Sequence, residues 1–209
     1  MTAMLRALRL WLPLLWLNTA FGAQDYLLLD DYFTQHPEQY RLTEALRAQV
    51  EQAPVPLAPN YRRPVRIAVV YPGNQNSDYW RRSIDVFKRR LDGLAINYQL
   101  HSYFSRPTFE TAQFLQQLRE ALRHDPDYLV MTLDSDDHKR VIERILARGR
   151  PKLILQNITT PLQEWHNTQP FLYTGFDHQQ GTQLLAHTLL KDLQPPPRKV
   201  SVIFRDKGY

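Results

Sequence analysis

The chain has 209 residues, with 26 lysines and arginines against 21 aspartates and glutamates, and no cysteine. That length is room for one generous domain or one and a half smaller ones. The missing cysteine excludes disulfides, thiolate zinc sites and a thiol nucleophile. The basic residues fall mostly on expected helix surfaces with acids between them, as in Arg81, Arg82, Lys88, Arg89 and Arg90, which reads as a solvated face and not as a nucleic-acid patch.

Met1–Arg9 is a basic start, Leu10–Leu17 a short apolar core, and Ala20 and Gly22 are small residues two apart. This is the pattern of a secretory signal over residues 1–22, cleaved after Gly22 or alternatively Ala23. The other reading, a membrane anchor, is disfavoured because the apolar run falls short of the ~20 residues that a span requires. Removing the signal takes away Arg6 and Arg9 and no acids, leaving 24 basic against 21 acidic residues, a net charge of +3. The signal predicts export, and the mature chain has no other segment long and apolar enough to cross a bilayer.

Residues 23–63 read as an extension. Leu42, Leu46 and Val50 recur at helical spacing between Glu38 and Gln52, and the helix gives way to Ala53–Asn60, too rich in proline to be anything but extended linker. A helical clasp on the outside of the main domain is expected, with a flexible leader as the alternative.

From Pro64 strands and helices alternate. Val65–Tyr71 is short, apolar and β-branched, and predicts a strand. A helix follows from Ser77 to Leu94, with Ile84, Phe87, Leu91 and Leu94 on one face. The pattern continues as a strand within 95–104, a helix over Thr108–Arg123 with Phe114, Leu115, Leu118 and Leu122 inward, and a strand over Tyr128–Leu133. Next come a helix over Asp136–Arg148, strands at Lys152–Leu155 and Phe171–Thr174, a helix over Gln179–Leu193 and a strand over Lys199–Phe204. Strand-then-helix repetition predicts an α/β fold with a doubly wound parallel sheet and right-handed crossovers. Residues 64–175 form the expected first lobe and 176–209 the start of a second, which the chain is expected to leave incomplete.

Enzymatic motifs are missing. With seven glycines, the chain has no Gly-rich phosphate loop and no Gly-x-Ser-x-Gly elbow. Asp134–His138 has the residue types of a metal cluster, but it follows a strand and opens a helix, so Asp136 or Asp137 is the expected N-cap and dipole partner. The seven histidines show no ligand spacing and are expected at the surface. The informative stretch is Tyr71–Trp80, a strand-to-helix loop carrying Gln75, Ser77, Tyr79 and Trp80. Ligands of open parallel sheets bind at the carboxyl ends of strands. Hydrogen-bonding groups beside two flat aromatic faces suit a small polyhydroxylated ligand, and Asn157, at the same end of another strand, can converge on it. The plainer reading is that Tyr79 and Trp80 pack under the first helix while Ser77 caps it.

Four stretches carry a resemblance: Val69-Val-Tyr-Pro-Gly-x-Gln-x-Ser-Asp-Tyr-Trp80, Ile96-Asn-Tyr-Gln-Leu100, Lys152-Leu-Ile-Leu-Gln-Asn-Ile-Thr-Thr-Pro161 and Gln169-Pro-Phe-Leu-Tyr-x-Gly-Phe-Asp-His178. From about Asp31 to Tyr209 the chain resembles the LuxP-like autoinducer-2 receptors, a branch of the ribose/galactose-type periplasmic binding proteins. The resemblance implies a periplasmic binding protein of type I, two α/β lobes closing on a ligand, with the crossing between lobes near Gly175–Asp177. It implies as ligand autoinducer-2, a furanosyl borate diester, contacted by Gln75, Ser77, Trp80 and Asn157, with Tyr79 a possible addition. No cofactor is implied, since boron enters only within the ligand, and the arginines that offset the borate charge belong to the second lobe. The implied partner is the periplasmic domain of a LuxQ-like sensor histidine kinase, in quorum sensing, and the implied role is not enzymatic. Two other readings stand beside it: a binder of a simple pentose or hexose, and a docking fragment without ligand.

Overall fold

The computed structural model describes residues 27–58, 63–72, 78–105, 111–158, 161–193 and 199. The expected signal peptide, the loop residues Gln75 and Ser77, and the strand expected at Lys199–Phe204, apart from Lys199 itself, lie outside the described residues.

The elements in chain order are α1 (Leu29–Gln35), α2 (Pro37–Glu51), β1 (Val65–Pro72), α3 (Tyr79–Gly93), β2 (Tyr98–Ser105) and α4 (Thr111–Arg123). They continue with β3 (Tyr128–Met131), α5 (Asp136–Arg148), β4 (Lys152–Gln156), a 3-10 turn (Gln163–Trp165), β5 (Leu172–Thr174) and α6 (His178–Asp192). The five strands form one parallel sheet in the order β2-β1-β3-β4-β5. Register pairs Val65 with Tyr98, Ile67 with Tyr128, Tyr128 with Lys152 and Ile154 with Leu172. The fold is α/β, doubly wound in the Rossmann-like manner.

Successive side chains of a strand point to opposite faces, and β1 supplies both cores. Ile67, Val69 and Tyr71 join Val130 under Trp80, Ile84 and Leu91 of α3. Ala68 and Val70 face the other way, with Leu129, Met131, Leu153 and Leu155, onto Phe114 and Leu118 of α4, Ile142 and Ile145 of α5, and Leu162 and Trp165 from the β4–β5 connection. Every residue of β1 from Ile67 to Pro72 is buried, as a central strand covered on both faces requires.

The N-cap of α5 corrects the sequence expectation. Ser135, not Asp136 or Asp137, caps the helix, its Oγ accepting from the His138 N–H at 3.3 Å. The two aspartates sit in the first turn, where the helix dipole favours them. Gly149 ends α5 in the left-handed region at φ 66°. At α6 the Asp177 carboxylate accepts from the Gln180 N–H at 2.9 Å, and every described side chain of the helix is exposed.

The extension is tied to the domain through backbone groups more than through apolar contact. Arg90 of α3 donates to the carbonyls of Gln52 and Gln49 at 2.6 and 2.9 Å, satisfying oxygens left over at the end of α2. Leu57 N–H bonds the Leu94 carbonyl at 2.9 Å. Pro54 lies so close to α3 that a Cβ on Gly93 would sit 2.6 Å from its Cγ. The stripe Leu42, Leu46 and Val50 is exposed, whereas amphipathic spacing predicts an inward face. Periodicity revealed the helix and not which way it faces.

Candidate functional site

In the order β2-β1-β3, the chain leaves β1 toward one side of the sheet and returns on the other. α3 and α4 therefore cover opposite faces, which makes the carboxyl ends of β1 and β3 the switch point of the sheet. β1 delivers Tyr71 there, α3 begins there with Tyr79 and Trp80, and β4 ends nearby at Gln156 and Asn157.

Trp80 is 4% exposed and belongs to the core beneath α3. Its ring meets Tyr71 at 4.6 Å between centroids, tilted 40°, and meets Tyr79 edge-on at 4.8 Å. Trp80 thus follows the plainer reading of the sequence, packed beneath the first helix of the domain. Trp80, Ile84, Phe87 and Leu91 form one helical stripe, and that stripe lies on the sheet. Extending the apolar spacing one turn back from Ile84 reaches Trp80, so the signal was present in the sequence. The indole Nε1 is buried with no hydrogen-bond partner among the described residues. Tyr79 is exposed on the same turn.

Tyr71 reaches across the end of β3. Its hydroxyl donates to the side-chain oxygen of Gln156, and the Gln156 amide donates to Ser83 Oγ at 3.2 Å. Burial holds the Tyr71 phenol well above its ordinary pKa, so it stays protonated and keeps donating. Tyr71, Gln156 and Ser83 were not among the candidate site residues, because tyrosine on an apolar strand reads as core and glutamine at a strand end as solvent-facing.

Asn157 is exposed and takes φ 70°, the left-handed region that asparagine tolerates better than most residues. Its N–H donates to the Thr174 carbonyl at 2.8 Å. Of the four predicted contact residues, the structure describes Trp80 and Asn157. They stand at the same edge of the sheet, separated by β3 and joined through Tyr71 and Gln156.

The side chains of the Asp134–His138 stretch are bonded to one another and to near neighbours in the chain. The Thr132 hydroxyl donates to the Asp134 carboxylate, and Asp137 pairs with Arg140. His138 is not at the surface as expected but 1% exposed, stacked on Phe114 at 4.0 Å, its Nδ1 accepting from the Asp134 N–H at 3.3 Å. Burial lowers its pKa, and the Asp134 and Asp137 carboxylates oppose that in part. The repeat His138, Ile142, Ile145 marks it as an inward position of α5. Among the described residues no group of three or more histidines and carboxylates could hold a metal ion, and no helix is long and apolar enough to cross a membrane. No family model matches the chain.

Proposed function

We propose that the chain is the first, ligand-holding lobe of a periplasmic binding protein of type I. It receives autoinducer-2 as its furanosyl borate diester and presents it to a membrane sensor histidine kinase in quorum sensing. The observation that carries this reading is the continuity from Trp80 through Tyr71 and Gln156 to Asn157 along the carboxyl edge of the sheet. An aromatic wall next to a carboxamide is the chemistry that a cyclic polyol asks for: apolar surface for the carbons of the ring, donor and acceptor for its hydroxyls. The switch point between β1 and β3 is where such folds take ligands. The resemblance adds Gln75 and Ser77 from the β1–α3 loop and the charge partners from a second lobe that begins after Gly175.

Because Trp80 is largely buried, it contributes as the fixed backing of the site and not as a freely exposed platform. Tyr79, exposed beside it, is the aromatic side chain of this turn open to solvent. The test is calorimetry of the purified protein with autoinducer-2 in the presence and absence of borate. Binding that strengthens with borate and weakens in Asn157→Ala is expected. Binding of ribose or galactose that ignores borate would replace the ligand, and capture of the sensor domain irrespective of signal would leave only a docking role.

A further inference from the structure

The side chain of Gln156 is held at both ends, its oxygen by Tyr71 and its amide by Ser83, which fixes the orientation of its carboxamide. It sits directly before Asn157, and the group it grips is the phenol whose ring lies 4.6 Å from that of Trp80. Three elements meet in this chain of contacts: β1 through Tyr71, α3 through Ser83 and Trp80, and β4 through Gln156. β1 and β4 are not neighbours in the sheet, since β3 runs between them. Ladder hydrogen bonds therefore do not link the two ends directly, and side chains make the crossing. Tyr71 is 5% exposed, so its hydroxyl is poorly replaced by water if Gln156 is lost.

We infer that Tyr71, Gln156 and Ser83 form a positioning relay that sets the tilt of the Trp80 ring and its register against Asn157, and thereby sets affinity for the cyclic polyol without touching it. This rests on the receptor reading for its ligand and on the geometry alone for its effect on Trp80. A side-chain chain held at both ends keeps Trp80 and Asn157 in one arrangement before ligand arrives, which lowers the ordering cost of binding.

The test uses Tyr71→Phe, which keeps the ring in the core and deletes only the hydroxyl, Gln156→Leu, which keeps the volume, and the double variant. Two quantities are read. One is the indole N–H resonance of Trp80 and its hydrogen-exchange rate, assigned by its disappearance in Trp80→Phe. The other is the affinity for autoinducer-2 with borate. Each single variant is expected to shift the Trp80 resonance, speed its exchange and raise Kd about three- to tenfold, the range one neutral hydrogen bond is worth. The double variant is expected to be no worse than the worse single one, because both cut the same chain. Ser83→Ala, severing the far end, serves if Gln156→Leu folds poorly, and is expected to give a smaller change in the same direction. A Trp80 resonance that stays in place in Tyr71→Phe, or losses of affinity that simply add, overturns the relay, since a bond that only stabilises the fold lowers Tm and moves neither. A wild-type protein that binds no autoinducer-2 overturns the receptor reading instead. The affinity half of the test then passes to ribose and galactose, while the Trp80 resonance still decides whether the relay exists.

Discussion

A Cβ built on Gly175 would lie 3.1 Å from both the Cα and the carbonyl carbon of Asn157, and 3.0 Å from the Ile158 nitrogen. These are backbone atoms, already held from the β5 side by the bond from Asn157 N–H to Thr174. Gly175→Ala must therefore move the Asn157 peptide. The expected cost is about 1–3 kcal/mol of stability, measured by urea unfolding, together with weaker ligand binding. Asn157→Gly keeps φ 70° accessible, so it should leave stability within about 1 kcal/mol while losing the side-chain contact. Separation of the two effects by that pair of variants is the outcome to look for.

Trp80 belongs to the core, and the proposed function adds a site role that truncation would confuse with it. Trp80→Ala is expected to destabilise by about 3–5 kcal/mol, as other buried aromatic-to-alanine changes do, which would masquerade as lost binding. Trp80→Phe should cost about half as much and is the variant in which thermal unfolding and ligand affinity can be compared.

His138 makes stability fall on mild acidification. Its folded pKa is lowered from the ordinary 6.5 by burial, so below that pH the unfolded chain binds a proton that the folded chain refuses. Its contribution is complete above about pH 6.5 and is lost as the pH drops toward the folded value, with a slope of up to ~1.4 kcal/mol per pH unit. His138→Asn keeps an acceptor for the Asp134 N–H and cannot titrate. Unfolding free energies between pH 7 and pH 5 should show a shallower slope in that variant, and equal slopes would remove the assignment.

Asp127 ties the linker to the foot of the sheet. Its carboxylate accepts from both terminal nitrogens of Arg63, at 2.8 and 2.6 Å, and from the Arg66 N–H at 2.9 Å. The hydrogen bonds from Arg63, first, and from the Arg66 backbone hold its pKa well below the usual carboxylate range. This stabilisation is present above about pH 4 and is lost as pH falls further, a window distinct from that of His138. Asp127→Ala is expected to cost about 2 kcal/mol, mostly from the Arg66 N–H left without its acceptor. Arg63→Ala should cost less than Asp127→Ala, since the arginine is exposed and water replaces it. Chemical denaturation of the two variants at pH 7 checks the order.

The alternation of elements was legible because each strand and helix carries its own period. Asp136–Arg148 is the clearest case, flanked by a capping serine and a terminal glycine. Orientation was less legible. Trp80 and His138 each stand one turn ahead of the first obvious apolar residue of a helix, where a polar or amphipathic side chain hides the continuation of the stripe. The exposed stripe of α2 shows the opposite error, a periodic pattern with no face to meet it among the described residues. Contacts such as Tyr71 with Gln156 join residues 85 positions apart and depend on strand order, which spacing along the chain does not encode.

The Leu27 N–H bonds the carbonyl of Pro161 at 2.9 Å, four residues beyond Asn157. Leu27 is thus a strut under the connection that follows β4 and Asn157. A purification handle fused just ahead of Leu27 would load that strut directly, whereas one placed on the surface of α4 would not, and titrations made with the two fusions should differ for that reason alone.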